Sequence, residues 1–185
     1  MPSRRWLVLL LLLPRPGHAE PPQKAAESLP SPVRSACISS PFGPRFLAGL
    51  PKASTFHGGI DMPAPAGEAV RAVAPGHVLR IQRKGPGGLE MLVQHDGFIG
   101  IYSHLGIIAP AFAEGKRTVA TGEKLAVIGR SGVTYGTHLF FGMLVDGRPI
   151  DPAPRLGVPR CQAGRSPPRA DLATQPPRTA GMANQ

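Results

Sequence analysis

The chain has 185 residues, a formal net charge of +10, 42% hydrophobic residues, and 23 glycines and 23 prolines. This length and turn-rich composition predict one modest domain. More than half of the excess positive charge falls in the segments 1–19 and 159–185, and aromatic residues make up only 5% of the chain. Because no dense basic stripe with interleaved aromatics is present, we predict no nucleic-acid partner.

The first 19 residues have the pattern of a secretory signal peptide. Two arginines precede an apolar run over 6–13, and Gly17 and Ala19 supply the small residues of a cleavage site. The run is too short to span a bilayer, so we expect no membrane span after cleavage. An uncleaved anchor is the alternative. The prediction is an exported protein, periplasmic or extracellular.

Two further segments differ in composition from the rest. Residues 20–40 are rich in Pro, Ala and Ser and are predicted to be a linker, and residues 159–185 are predicted to be a disordered Pro/Arg-rich tail. The only two cysteines, Cys37 and Cys161, lie just outside the two ends of the predicted domain over 41–158. In an exported protein they would most simply form one disulfide, with two free thiols as the alternative.

Residues 41–158 are predicted to form the domain. Short β-branched and apolar runs alternate with Gly, Pro and Asp, and no segment has a sustained helical stripe. The fold class is therefore all-β, a mostly antiparallel sandwich or split barrel. A hairpin is expected through Asp146-Gly147, and 106–122 is expected to be the least regular connection. The predicted strands are Ala69–Val73, His77–Arg83, Leu89–Gln94, Ile99–Ser103, Lys124–Ile128 and His138–Val145.

One short motif carries the clearest chemical signal. His57 and Asp61 are separated by two glycines and Ile60, and glycine allows the backbone to turn both side chains onto one point. Alone, this spacing is also typical of a plain turn. Two more histidines, His104 and His138, lie in strand-like segments downstream, and together the four side chains point to a metal site.

The sequence resembles the lysostaphin-like, LytM-type zinc endopeptidases, which cut peptide cross-links in bacterial cell walls. The resemblance covers about residues 40–152. It implies the β-fold of that family, with its duplicated hybrid motif, zinc as cofactor and peptidoglycan as substrate. The motifs that carry it are Ser40-Pro41-Phe42-Gly43-Pro44-Arg45, Phe56 to Met62, Pro65 to Val70, Tyr102-Ser103-His104-Leu105, Gly129-Arg130-Ser131-Gly132, Gly136-Thr137-His138-Leu139 and Ile150-Asp151-Pro152.

By position, the resemblance implies that His57 and Asp61 are zinc ligands and that His104 and His138 are catalytic. The family's last strand reads His-x-His, and the second histidine is its third zinc ligand. Here that position is Phe140. Residues two apart on a strand face the same side, so we expect Phe140 to face the site beside His138, where a phenyl ring cannot bind a metal.

Two accounts of the site remain open. In the first, another group completes the zinc shell, with His138, His104, His95 and Glu90 as candidates, and the protein is a zinc endopeptidase. In the second, zinc binding is weak or lost, and the groove binds cell wall or regulates a partner, for which a cell-wall hydrolase is a candidate. A plain β-barrel-like carrier or sugar-binding module is a third hypothesis that needs none of the histidines.

Overall fold

The computed structural model describes residues 28–34, 37–45 and 54–162. The predicted signal peptide, much of the predicted linker and nearly all of the predicted tail lie outside these ranges. In chain order the elements are β1 (Gly43–Pro44), β2 (Phe56–His57), β3 (Gly59–Pro63), β4 (Ala69–Arg71), β5 (Gly76–Lys84), β6 (Gly88–His95), β7 (Phe98–Ser103), β8 (Leu105–Ile108), α1 (Pro110–Ala113), β9 (Thr118–Val119), β10 (Lys124–Ile128), β11 (His138–Val145), β12 (Arg148–Ile150) and α2 (Ala153–Leu156). Neither of these helices is long and apolar enough to cross a membrane.

The strands form two main sheets and one short ribbon. The larger sheet has the order β12-β11-β7-β6-β5-β9. β3 and β12 both pair with the same edge of β11, β3 with its first five residues and β12 with its last three. The smaller sheet has the order β4-β10-β8, and β1 pairs with β2. All these pairs are antiparallel. The predicted all-β, mostly antiparallel fold is confirmed.

The core lies on one face of the larger sheet. Because successive side chains of a strand face opposite sides, the core takes Ile60 and Met62 from β3 and Leu139, Phe141 and Met143 from β11. The opposite face of the same strands carries Asp61 and Phe140. Side chains of both sheets contribute to one buried cluster, including Ile60, Met62, Val70, Met91, Tyr102, Leu125, Ile128, Leu139, Phe141 and Met143.

The predicted strands are all present, with two coinciding at both ends, Lys124–Ile128 and His138–Val145. The predicted hairpin also forms. Asp146 and Gly147 both have positive φ, 51° and 73°, as a type I′ turn requires. The expectation that 106–122 is the least regular connection was wrong. This segment contains all of α1 and β9 and all but the first residue of β8. Elements of two to four residues are too short to leave a periodic pattern.

The two ends of the described domain are joined. Cys37 and Cys161 form the predicted disulfide, and Ile38 forms a parallel bridge with Arg160. Val33 and Ile38 are buried in the core. The described part of the segment predicted as a linker thus packs against the domain. It is followed directly by Pro41, whose carbonyl oxygen contacts the ring of His57.

Candidate functional site

A groove of about 710 Å³ lies on the face of the larger sheet away from the core. This volume is within the range of small-molecule and peptide pockets. All four predicted site residues line it: His57, Asp61, His104 and His138. The groove is also lined by Phe140 and by side chains including Arg45, Phe56, Glu90, Ser103, Val133 and Tyr135.

The groove floor is a row of residues that crosses the sheet. Phe140 on β11 is directly opposite Asp61 on β3 and opposite Ser103 on β7. Ser103 then donates a hydrogen bond through Oγ to Glu90 Oε1 on β6, at 2.8 Å. Directly opposed residues on neighbouring strands share one face of a sheet. The floor therefore reads carboxylate, phenyl, hydroxyl, carboxylate.

His57 is held so that one ring nitrogen faces Asp61. Its Nδ1 lies 2.9 Å from the carbonyl oxygen of Pro41, and its Nε2 lies 3.1 Å from Asp61 Oδ1. Because a carbonyl can only accept, Nδ1 carries the hydrogen in this contact. A hydrogen bond from Nε2 to Asp61 then requires a second proton on the ring. If the ring is neutral, its lone pair faces the carboxylate, and only a cation between the two would make that contact favourable.

His138 and His104 are held in the same way, with Nδ1 against a backbone carbonyl. His138 Nδ1 is 3.0 Å from the carbonyl oxygen of Gly136, and its Nε2 is 3.5 Å from Asp61 Oδ1. His104 Nδ1 is 2.9 Å from the carbonyl oxygen of Ser131. The two imidazole rings are 4.6 Å apart. A histidine that binds a metal usually donates its other ring N–H in this way, so all three histidines have the tautomer that a metal ligand or a general base needs.

His104 reaches this position through an unusual backbone. Its φ is 63°, a left-handed conformation that residues other than glycine rarely adopt. Its N–H donates to the carbonyl oxygen of Gly87 and its own carbonyl accepts from Gly129 N–H. These two bonds hold the residue at the end of β7, where the chain turns into β8 and the ring can point into the groove.

Asp61 is the electrostatic centre of this end of the groove. Burial by itself raises the pKa of its carboxyl. The hydrogen bond with His57 and the charges of His138, His57 and Arg45 outweigh burial, and the pKa lies below its ordinary value. Arg45 Nη1 lies 3.6 Å from Asp61 Oδ2. For His138 the balance favours the neutral ring, because desolvation lowers the pKa of its imidazole more than Asp61 raises it.

Phe140 occupies a hollow made by two glycines. Its ring centroid is 5.3 Å from that of His57 and 6.4 Å from that of His104. A Cβ on Gly59 would collide with this ring and with a carbonyl of β11, and a Cβ on Gly142 would lie 3.2 Å from the ring. The predicted orientation of Phe140 into the site is confirmed, and its phenyl ring is packed there.

The donor set does not fit a zinc centre with three protein ligands. His57 Nε2 and Asp61 Oδ1 lie 3.1 Å apart and could bind one ion. The residue opposite Asp61 on β11 is Phe140, whose phenyl ring has no donor atom for a metal. Within the described ranges, no group of three His, Cys, Asp or Glu side chains is arranged to hold a metal ion. A catalytic zinc site usually takes three protein ligands and leaves one position for water. The residues present thus supply two ligands, with His138 as the nearest further imidazole.

The other proposed completing ligands are placed differently. His95 is buried beside Tyr102, with Nδ1 at 2.9 Å from the carbonyl oxygen of Pro75 and Nε2 at 3.3 Å from the Tyr102 hydroxyl. Both ring nitrogens are thus engaged away from the groove, and the suggestion that His95 completes the shell was wrong. Glu90 does line the groove, but it lies three strands away from Asp61, so it cannot share a metal with it.

Sequence reasoning missed the apolar rim of the groove. Phe56, Val133 and Tyr135 are large hydrophobic residues exposed to solvent, at 45%, 36% and 53%, and all three line the groove. The available signal was their position beside the histidine motifs in Gly- and Ser-rich segments. Arg45 faces Asp61.

Known proteins are similar in sequence to this chain over the domain that carries the groove. Residues 55–152, just over half of the chain, match the sequence profile of peptidase family M23. The chain is 36% identical over 116 residues to "DD-carboxypeptidase/endopeptidase Mpg" of Neisseria meningitidis, covering 62% of this chain and 26% of that protein. It is 29% identical over 123 residues to "Peptidoglycan DD-endopeptidase ShyA" of Vibrio cholerae, covering 66% of this chain and 28% of that protein.

A solved structure has the same fold. The catalytic domain of the antimicrobial peptidase lysostaphin from Staphylococcus simulans superposes with a TM-score of 0.58 at 23% identity, covering 66% of this chain and 92% of that domain. The chain spans only about a quarter of the length of the two curated relatives above. The family match nevertheless includes His57, Asp61, His104 and His138, and the chain belongs to peptidase family M23.

Proposed function

We propose that the groove binds the peptide chains of peptidoglycan and, with phenylalanine at position 140, does not cleave them through a zinc centre. One observation carries this proposal. The place of a third metal ligand, opposite Asp61, is filled by a phenyl ring packed over Gly59 and Gly142. A groove that can hold a peptide is kept, while the donor set for the family's metal is incomplete.

The groove lining suits an extended peptide ligand. Its floor carries three polar groups and one phenyl ring, and its rim carries the exposed Phe56, Val133 and Tyr135. Exposed aromatic and apolar groups around a polar cleft are typical of binding surfaces. Peptidoglycan is chosen as the ligand because the similar Vibrio cholerae protein described above is named a peptidoglycan DD-endopeptidase.

We also propose that the protein works outside the cytoplasm. The sequence of residues 1–19 supports this, as does the Cys37–Cys161 disulfide, because disulfides persist mainly in oxidising compartments. Cell fractionation with a tagged chain would place it in the periplasm or medium. Retention in the cytoplasm would contradict the proposal. A cell-wall hydrolase as a partner stays a prediction.

The test of binding uses purified peptidoglycan and the full chain. We expect the wild-type protein to sediment with peptidoglycan and to release no soluble peptides. Tyr135→Ala should reduce the bound fraction severalfold, because it removes an exposed ring from the rim. Ile107→Ala is the matched control, since Ile107 is 73% exposed but lies outside the groove. Equal binding of both variants and the wild type would contradict the proposed groove.

A second function is favoured by a specific observation, the orientation of the three imidazoles. Each uses Nδ1 in a contact with a backbone carbonyl, and the Nε2 atoms of His57 and His138 both face Asp61 Oδ1. If the side chains closed around one point, His57, Asp61 and His138 would hold zinc. When bound, zinc would polarise the carbonyl of a peptide substrate and lower the pKa of a bound water. His104 Nε2 would be placed to accept a proton from that water.

Zinc content and digestion separate the two functions. Near-stoichiometric zinc in protein purified without chelators, together with release of peptides from peptidoglycan, would support the zinc endopeptidase and refute the proposed non-catalytic groove. Far less than one zinc per chain and no release, with retained binding, would support the proposal.

A further inference from the structure

The groove contains two carboxylates with very different surroundings. Asp61 faces the guanidinium of Arg45 and the imidazoles of His57 and His138. Glu90 makes no ion pair with any residue in the described ranges. Both line the groove. Within the described ranges, the Asp61 carboxylate therefore has cationic partners at ion-pair distance, and the Glu90 carboxylate has none.

Neutral groups hold the Glu90 carboxylate in place. Ser103 Oγ donates to Oε1 at 2.8 Å, and Gln82 Nε2 donates to Oε2 at 3.0 Å. Gly87, in the turn between β5 and β6, lies so close that a Cβ there would collide with Oε1. An ionised carboxylate can accept about four hydrogen bonds, so each oxygen retains acceptor capacity after these two bonds.

The position of Glu90 defines where along the groove this charge lies. The row from Asp61 to Glu90 crosses three strand-to-strand steps, β3 to β11, β11 to β7 and β7 to β6. At about 4.8 Å a step, the two carboxylates stand about 14 Å apart along the floor. That separation corresponds to about four residues of an extended peptide. Asp61 and Glu90 can thus meet different residues of one bound peptide.

We propose that Glu90 binds a primary ammonium group of the peptide ligand and so selects peptides that carry a free side-chain amine. An ammonium has three donors and is compact, and it would use the acceptor capacity that Ser103 and Gln82 leave. Placing a cation beside Glu90 would balance a partly buried charge, whereas a neutral or acidic group there would leave it unbalanced. This inference rests on the proposed function, since it names the class of peptide that the same groove takes.

The test compares the affinities of two peptides for the wild-type protein. Both are peptidoglycan stem pentapeptides with lysine at the third residue and an acetylated N-terminus, and in one of them the lysine amine is acetylated as well. Isothermal titration calorimetry measures both affinities. We expect the free amine to bind about tenfold more tightly, as a single charge-assisted hydrogen bond in a part-exposed site provides. The preference should shrink as salt is raised.

Two matched variants complete the test. Glu90→Gln keeps the side-chain shape, and the Gln82 amide can rotate to preserve the pair, so the fold should persist. It should lose the preference for the amine. Glu114→Gln is the same change at an exposed position outside the groove and should leave the preference intact.

The outcomes separate this inference from the proposed function. Equal wild-type binding of both peptides, or a preference that survives in Glu90→Gln, would overturn the role of Glu90 while leaving the peptide-binding groove standing. Binding of neither peptide would overturn the proposed function and the inference with it.

Discussion

Replacing Phe140 by histidine should create a metal site. The residue faces Asp61 across β3 and β11, and its ring centroid is 5.3 Å from that of His57. An imidazole is smaller than a phenyl ring, so the hollow over Gly59 and Gly142 can accommodate it. The change would place a third nitrogen donor beside the two ligands that already converge, which is the number a catalytic zinc normally takes from the protein.

The expected magnitude can be worked through zinc-linked stability. Loss of a residue that only orients a ligand costs about 10–100-fold in metal affinity or activity, so gaining a direct ligand should improve affinity by at least about 100-fold. At a zinc concentration 100 times the variant's Kd, binding stabilises the variant by about 2.7 kcal/mol, whereas a wild type at its own Kd gains about 0.4 kcal/mol. At about 4 °C per kcal/mol for a domain of this size, zinc should raise Tm by about 10 °C and about 2 °C, respectively.

The assay is thermal unfolding of each protein with and without zinc. Comparing each protein with itself removes the packing cost of losing the phenyl ring. Phe140→Asn controls for removal of the ring without a good ligand, and the double variant Phe140→His, Asp61→Asn removes a ligand from the new site. Both should behave like the wild type. A large zinc shift already present in the wild type, or none in Phe140→His, would refute the reasoning.

Three further predictions concern stability. Gly59→Ala should lower the free energy of unfolding in urea by about 2–4 kcal/mol, because its Cβ would collide with a carbonyl of β11; an unchanged midpoint would contradict the packing. Cys37→Ser should cost about 5 kcal/mol less any strain, since the bond to Cys161 closes a loop of 124 residues, and added reductant should destabilise only the wild type. Burial lowers the pKa of His95 in the folded state. The neutral ring therefore contributes to the free energy of unfolding above the unfolded-state pKa of about 6.5. This contribution is lost as pH falls below that value, by up to about 1.4 kcal/mol per pH unit. His95→Gln should flatten that part of the pH–stability curve and His77→Gln, at an exposed position on β5, should not.

Much of the fold and part of the site could be predicted because the signals are local. Short apolar runs between Gly, Pro and Asp predicted six of the twelve strands in the described ranges, and the Asp-Gly pair predicted its hairpin. The period of two along a strand predicted that Phe140 faces the site, as observed. The resemblance to a family whose last strand reads His-x-His predicted that a phenyl at position 140 removes a metal donor. The strand, hairpin and facing predictions depend only on neighbours in the chain, whereas this last one depends on the resemblance.

What the tertiary structure decided depends on strands that are distant in sequence. The pairing of β3 with β11 places Asp61 opposite Phe140, and the pairing of β11, β7 and β6 places Glu90 far along the same floor. Strand order and register are set by packing of the whole core, and no local pattern encodes them. For that reason the sequence by itself determined which groups this protein has for its chemistry, whereas only the folded sheet decided that Arg45 balances Asp61 and that Glu90 stands without a cation among the described residues.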